Sequence, residues 1–80
     1  MKILLIEDEE KLAKAIKRGL EQEAFAVDIE LDSDSGLASA EVGNYDLFIF
    51  DRMLPGELDG VGIVEKLRKQ HITTPVLFLT

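Results

Sequence analysis

The residues most able to do chemistry in this chain follow two uninterrupted apolar runs. Ile3-Leu4-Leu5-Ile6 stops abruptly at Glu7-Asp8-Glu9-Glu10, and Leu47-Phe48-Ile49-Phe50 stops at Asp51, with Met53, Leu54 and the turn pair Pro55-Gly56 beyond it. A continuous apolar run suits a strand buried on both faces of a parallel sheet, and such a run does not end by driving a carboxylate into the core. Asp51 therefore belongs at the carboxyl end of its strand, where the backbone turns out to water. There it either caps the turn or reacts, and in open α/β sheets the crevice beyond the carboxyl ends is where ligands bind. A further apolar run, Val76 to Leu79, delivers the hydroxyl of Thr80 to the same kind of position.

If Glu7, Asp8 and Asp51 meet, three carboxylates lie within a few ångströms and repel. They can share protons or hold a hard divalent cation. A partly solvated loop site with three oxygen donors favours magnesium, which keeps several waters and takes few carboxylates from a protein. With that charge neutralised, Asp51 can accept a phosphoryl group as a nucleophile and become an acyl phosphate. Thr80 can then donate its hydroxyl to a phosphoryl oxygen, and the reading is reversible phosphorylation of Asp51.

The elements that must position these residues alternate in period. Lys2 to Ile6 reads as a first strand. From Glu9 to Gln22, Leu12, Ile16 and Leu20 recur at helical spacing with Ala13 and Ala15 beside them, while Lys11, Lys14, Lys17, Arg18 and Glu21 face outward. Phe25 to Leu31 alternates apolar and acidic residues, as in a strand with one wet face near a sheet edge. Ser33, Asp34 and Ser35 offer N-caps to a short helix carrying Leu37, Ala38 and Val42 inward, which Gly43-Asn44 ends. After the third strand, Asp59 can cap a helix with Val61, Ile63, Val64 and Leu67 inward, although Gly60 and Gly62 weaken its first turn. His71 falls in an exposed loop, and Thr74-Pro75 introduces the fourth strand.

The order is β-α-β-α-β-α-β. Right-handed crossovers then make the sheet parallel with helices on both faces. The flavodoxin-like strand order 2-1-3-4, with its switch point between the first and third strands, brings Glu7, Asp8, Asp51 and Thr80 to one rim although they are far apart in sequence.

Composition limits the alternatives. Eighty residues form one small domain, which buries only about 60% of its unfolded surface. The chain has no cysteine, which excludes a disulfide-built scaffold and a thiolate metal site. The apolar start is too short and too soon acidic for a signal peptide or a membrane span. A formal net charge of −7 opposes direct contact of this segment with nucleic acid or an anionic membrane.

With those residues in place, the chain resembles the receiver domain of two-component response regulators, and most closely those of the winged-helix DNA-binding subfamily. The match is carried by Glu7-Asp8 after the first strand, the D-x-M-L-P-G segment from Asp51 to Gly56, Asp59-Gly60, and T-P-V-L-F-L-T ending at Thr80. The resemblance covers the whole chain. It implies a cytoplasmic phosphoacceptor, not itself an enzyme acting on others, that takes a phosphoryl group on Asp51 from a sensor histidine kinase and controls a DNA-binding output domain. It also implies magnesium held directly by Asp8 and Asp51, by Glu7 mostly through water, and by the main-chain carbonyl of Met53, with Thr80 as the switch hydroxyl. The side chain of Met53 is read as a packing group.

Two departures from the family pattern stand out. The loop Pro55 to Gly60, PGELDG, is one residue longer than the common P-G-x-D-G spacing. Residues 1–80 also correspond only to the N-terminal part of a receiver, since the family continues with a helix, a strand bearing a lysine, a last helix and an output domain. On that reading magnesium binding survives in these eighty residues while phosphorylation is slow or absent, and the fourth strand lies open at an edge and favours a homodimer or larger assembly.

Three rivals stand beside this reading, and the last of them is the strongest. A dehalogenase-like phosphatase needs a second acid two positions after the nucleophile, where this chain has Met53. A flavin mononucleotide site needs a phosphate-cradling loop where Glu7 to Glu10 stand. A non-catalytic assembly unit remains, and it has no need of magnesium.

Overall fold

The structure is a computed structural model and describes residues 1–79, so Thr80 lies outside the described residues. Seven elements alternate along the chain: β1 (Lys2–Ile6), α1 (Glu10–Gln22), β2 (Ala26–Glu30), α2 (Ser33–Val42), β3 (Leu47–Asp51), α3 (Gly60–Lys69) and β4 (Val76–Leu79). All strand pairs are parallel and the order is β2-β1-β3-β4, the flavodoxin-like α/β arrangement expected from the sequence.

The sheet divides the apolar residues between two cores according to the two-residue period of its strands. Leu4, Ile6, Phe48 and Phe50 face α2 and α3, where Ala40, Ile63 and Leu67 close the larger cluster. The rings of Phe48 and Phe50 stack there with centroids 5.0 Å apart. Ile3, Leu5 and Ile49 face the other way and are covered by Ala13 of α1, with Ile16, Leu20 and Phe25 around them. Because β1 and β3 are buried on both faces, neither shows polar alternation.

The helices are placed as the periodicity expects, but their inward faces are rotated. Leu12 is 41% exposed, and Ala13 takes the inward position. Val42 is 87% exposed, while Gly36 and Ala40 face the sheet. Val61 is exposed, and Gly60 replaces it. In each case a small residue lets the helix backbone approach the sheet closely. A Cβ on Gly36 would come within 2.3 Å of the Ile6 side chain.

The helix ends explain the remaining shifts of boundary. The cap of α2 is Asp32, one residue before the expected set, and its Oδ1 accepts from the Ser35 N–H at 2.7 Å. Asp59 caps α3 as expected, accepting from Gly62 N–H at 2.7 Å. Both α1 and α3 close with Schellman motifs. Phe25 N–H donates to Leu20 O and Ile72 N–H to Leu67 O, with Ala24 and His71 in the left-handed region at φ 67° and 63°. The first of these turns takes Phe25 out of the strand that the sequence pattern begins there.

Candidate functional site

The rim at the carboxyl ends of the strands is built by register. Ile6 sits beside Phe50, so the next residue of each strand, Glu7 and Asp51, leaves the sheet side by side. Glu7 is held in place by its N–H on the Glu30 carbonyl at 3.1 Å, and its carboxyl Oε2 accepts from Glu9 N–H at 2.8 Å. The turn into α1 then brings Asp8 alongside. One ligand oxygen from each of Glu7, Asp8 and Asp51 lies within 4.8 Å of the others.

The three differ in environment. Glu7 is buried, Asp51 is half-buried and Asp8 is exposed. Burial raises the Glu7 carboxyl above its ordinary range; Asp8 and Asp51 beside it push in the same direction, against the lowering effect of the Glu9 N–H. The cluster therefore sits under mutual repulsion, with one side open to solvent. All its donors are hard oxygens, and the open side leaves room for retained waters, a set that fits magnesium rather than a soft metal.

Asp51 is clamped from two sides. Arg52 N–H reaches Leu79 O at 3.3 Å across to β4, and Gly60 N–H reaches Arg52 O at 3.0 Å from the start of α3. Only glycine fits at position 60, because a Cβ would stand 2.2 Å from the Asp51 carbonyl oxygen. The side chain of Asp51 is oriented by Met53 N–H, which donates to Oδ1 at 3.1 Å. Met53 itself is 79% exposed, so its side chain does not pack as the sequence reading has it, and its backbone alone belongs to the rim. The Arg52 guanidinium lies 5.1 Å over the Phe78 ring.

Residues 3–80 match the family model described as the response regulator receiver domain. The chain belongs to that family. Among curated relatives, the receiver is 48% identical over 80 residues to the transcriptional activator protein IrlR of Burkholderia pseudomallei, covering 100% of this chain and 34% of that protein. It is 44% identical over 78 residues to the uncharacterized transcriptional regulatory protein YkoG of Bacillus subtilis, covering 98% of this chain and again 34% of the relative. The receiver thus spans about a third of the length of these relatives, which are transcriptional regulators.

Solved structures agree with the fold. The receiver domain of Francisella response regulator 1452 superposes with a TM-score of 0.92 at 35% identity, covering 96% of this chain and 63% of that one. The receiver domain of sensor histidine kinase PA1611 from Pseudomonas aeruginosa, solved with a magnesium ion coordinated in its active site cleft, gives 0.91 at 31% identity and covers 99% of this chain and 66% of that one.

The structure thus brings Glu7, Asp8 and Asp51 together and puts the Met53 backbone beside them. Two contributors escaped the sequence reading. Gly60 reads there as a weak point in a helix, although the Asp59-Gly60 pair marks where α3 must pass close to Asp51. Ser33 reads as one of several caps, yet it is turned toward the loop that follows Asp51.

Proposed function

We propose that this receiver is the phosphoacceptor of a two-component signalling system, with Asp51 as the acceptor and magnesium as the ion that makes the reaction possible. The observation that carries the reading is the meeting of Glu7, Asp8 and Asp51 oxygens within 4.8 Å at the solvent-facing rim. Asp8 and Asp51 would hold the ion directly, Glu7 through water, and the Met53 carbonyl would complete the protein's share. When bound, the ion supplies charge neutralisation, letting an anionic donor approach an anionic acceptor.

The chain's own residues do the rest. An oxygen of Asp51 attacks phosphorus in line; the phosphorus–nitrogen bond of a phosphohistidine donor breaks, and the leaving imidazole takes a proton. Met53 N–H holds Oδ1 and leaves the other carboxylate oxygen to act as the nucleophile. Gly60 and Leu79 fix the backbone that carries the nucleophile. Thr80 would donate to the phosphoryl group from the end of β4.

The partners follow from this role. A sensor histidine kinase supplies the phosphoryl group, and a DNA-binding output domain, as in the transcriptional regulators above, receives the signal in the cytoplasm. No helix among the described residues is long and apolar enough to cross a membrane.

Isothermal titration with magnesium tests the site. One ion per chain is expected, with affinity lost in Asp8→Asn and Asp51→Asn. A wild-type chain that takes up no magnesium would leave only an assembly role.

A further inference from the structure

The loop between Asp51 and α3 is one residue longer than its sequence pattern requires, and the structure shows how the extra length is held. Its point of attachment is Ser33, the first residue of α2 and 1% exposed. Ser33 N–H donates to the Pro55 carbonyl at 2.9 Å, and Ser33 Oγ accepts from Leu58 N–H at 3.4 Å. Between these contacts Gly56 turns through φ 117°, so close that a Cβ there would stand 2.0 Å from Ser33 Oγ. Leu58 then packs its side chain on the larger core, while Glu57 stays exposed.

Ser33 is available for this because Asp32 caps the helix. A serine at the cap position would spend its oxygen on the N–H groups of its own helix. Moved one residue inward, it can bind another segment. The same loop begins with Met53, whose N–H orients Asp51 and whose carbonyl belongs to the proposed ion site.

We infer that Ser33 is a positioning residue for the phosphoacceptor site: by pinning Pro55 and Leu58 onto α2 it fixes the loop that presents the Met53 backbone to Asp51 and the cation. The inference rests on the proposed magnesium site and adds a residue from a different element, whose hydroxyl touches neither the ion nor Asp51. Residues that orient ligands from behind in this way change metal affinity by about 10- to 100-fold when removed. A loop held at both of its contacts, one of which survives in alanine, should fall at the low end.

The test compares Ser33→Ala with Ile3→Val, a change in the core on the other face of the sheet, through magnesium affinity and amide hydrogen exchange in the metal-free protein. Ser33→Ala is expected to weaken magnesium binding about tenfold and to speed exchange at Leu58 N–H, with Ser33→Thr restoring part of both. Ile3→Val should lower thermal stability and leave affinity unchanged. If Ser33→Ala loses stability but binds magnesium as tightly as wild type, Ser33 only packs and the inference is overturned. If wild type itself binds no magnesium, the site reading fails, and the inference falls with it. Unchanged exchange at Leu58 in Ser33→Ala would independently refute the pinning.

Discussion

Asp51→Asn should make the metal-free receiver more stable while removing about half of what magnesium does for it. In the wild type, Asp51 lies within 4.8 Å of an oxygen of both Glu7 and Asp8, which corresponds to about 0.9 kcal/mol of repulsion per pair in a water-like dielectric and about 3.5 at an effective value of 20. Asp8 is exposed and the cluster opens to solvent on one side, so the lower figure governs. The two pairs together give about 1–2 kcal/mol. Asparagine keeps the oxygen that accepts from Met53 N–H, so the turn is preserved. Each kcal/mol is roughly 4–8 °C in a domain of this size, and the melting temperature in EDTA should rise by roughly 5 °C or more. Magnesium at 100 times its Kd would stabilise the wild type by about 2.7 kcal/mol, and a tenfold loss of affinity reduces that to about 1.4. Differential scanning calorimetry with EDTA and with magnesium reads both effects. An Asp51→Asn protein no more stable than wild type in EDTA, yet stabilised as much by magnesium, would refute the electrostatic account.

Three further outcomes follow from other parts of the fold. The Tyr45 hydroxyl is pushed up to about 12 from 10.0 by burial and by Asp28, whose Oδ2 it donates to at 2.7 Å. The folded state thus keeps this proton longer than the unfolded chain does. The stability it contributes is whole below pH 10 and declines as pH climbs toward 12. Urea titrations across that range should show Tyr45→Phe losing stability less steeply than wild type, and parallel profiles would contradict the assignment. Ala24→Gly should raise stability by about 0.5–1 kcal/mol, since Ala24 sits at φ 67° where glycine has no Cβ penalty; a lower urea midpoint would count against it. Gly60→Ala should cost about 1–3 kcal/mol despite better helix propensity, because the new Cβ meets the Asp51 carbonyl oxygen at 2.2 Å. A gain on urea denaturation would show that the close approach is soft.

Much of this architecture could be read from the chain because its signals are of the strongest kind. Buried strands ending in Glu7 and Asp51 have no other comfortable place than the carboxyl edge of a parallel sheet, and strand order does the rest. Helix existence was equally legible, but helix phase was not. Leu12, Val42 and Val61 are large and apolar and fit an inward stripe, whereas the inward positions went to Ala13, Ala40 and Gly60. Hydrophobicity alone ranks the larger side chain as core; the close approach of helix to sheet, known only after assembly, selects the smaller. Ser33 was hidden for a related reason. Whether a hydroxyl caps its own helix or holds a distant loop depends on which neighbour, here Asp32, has already taken the cap.

The most direct trial of the central claim is an anomalous difference map from crystals of the receiver grown or soaked with manganese, which takes the same oxygen ligands as magnesium. The account predicts a single strong peak among Asp8, Asp51 and the Met53 carbonyl with Glu7 behind it. A clean map at that rim, with manganese present in the mother liquor at millimolar concentration, would contradict it.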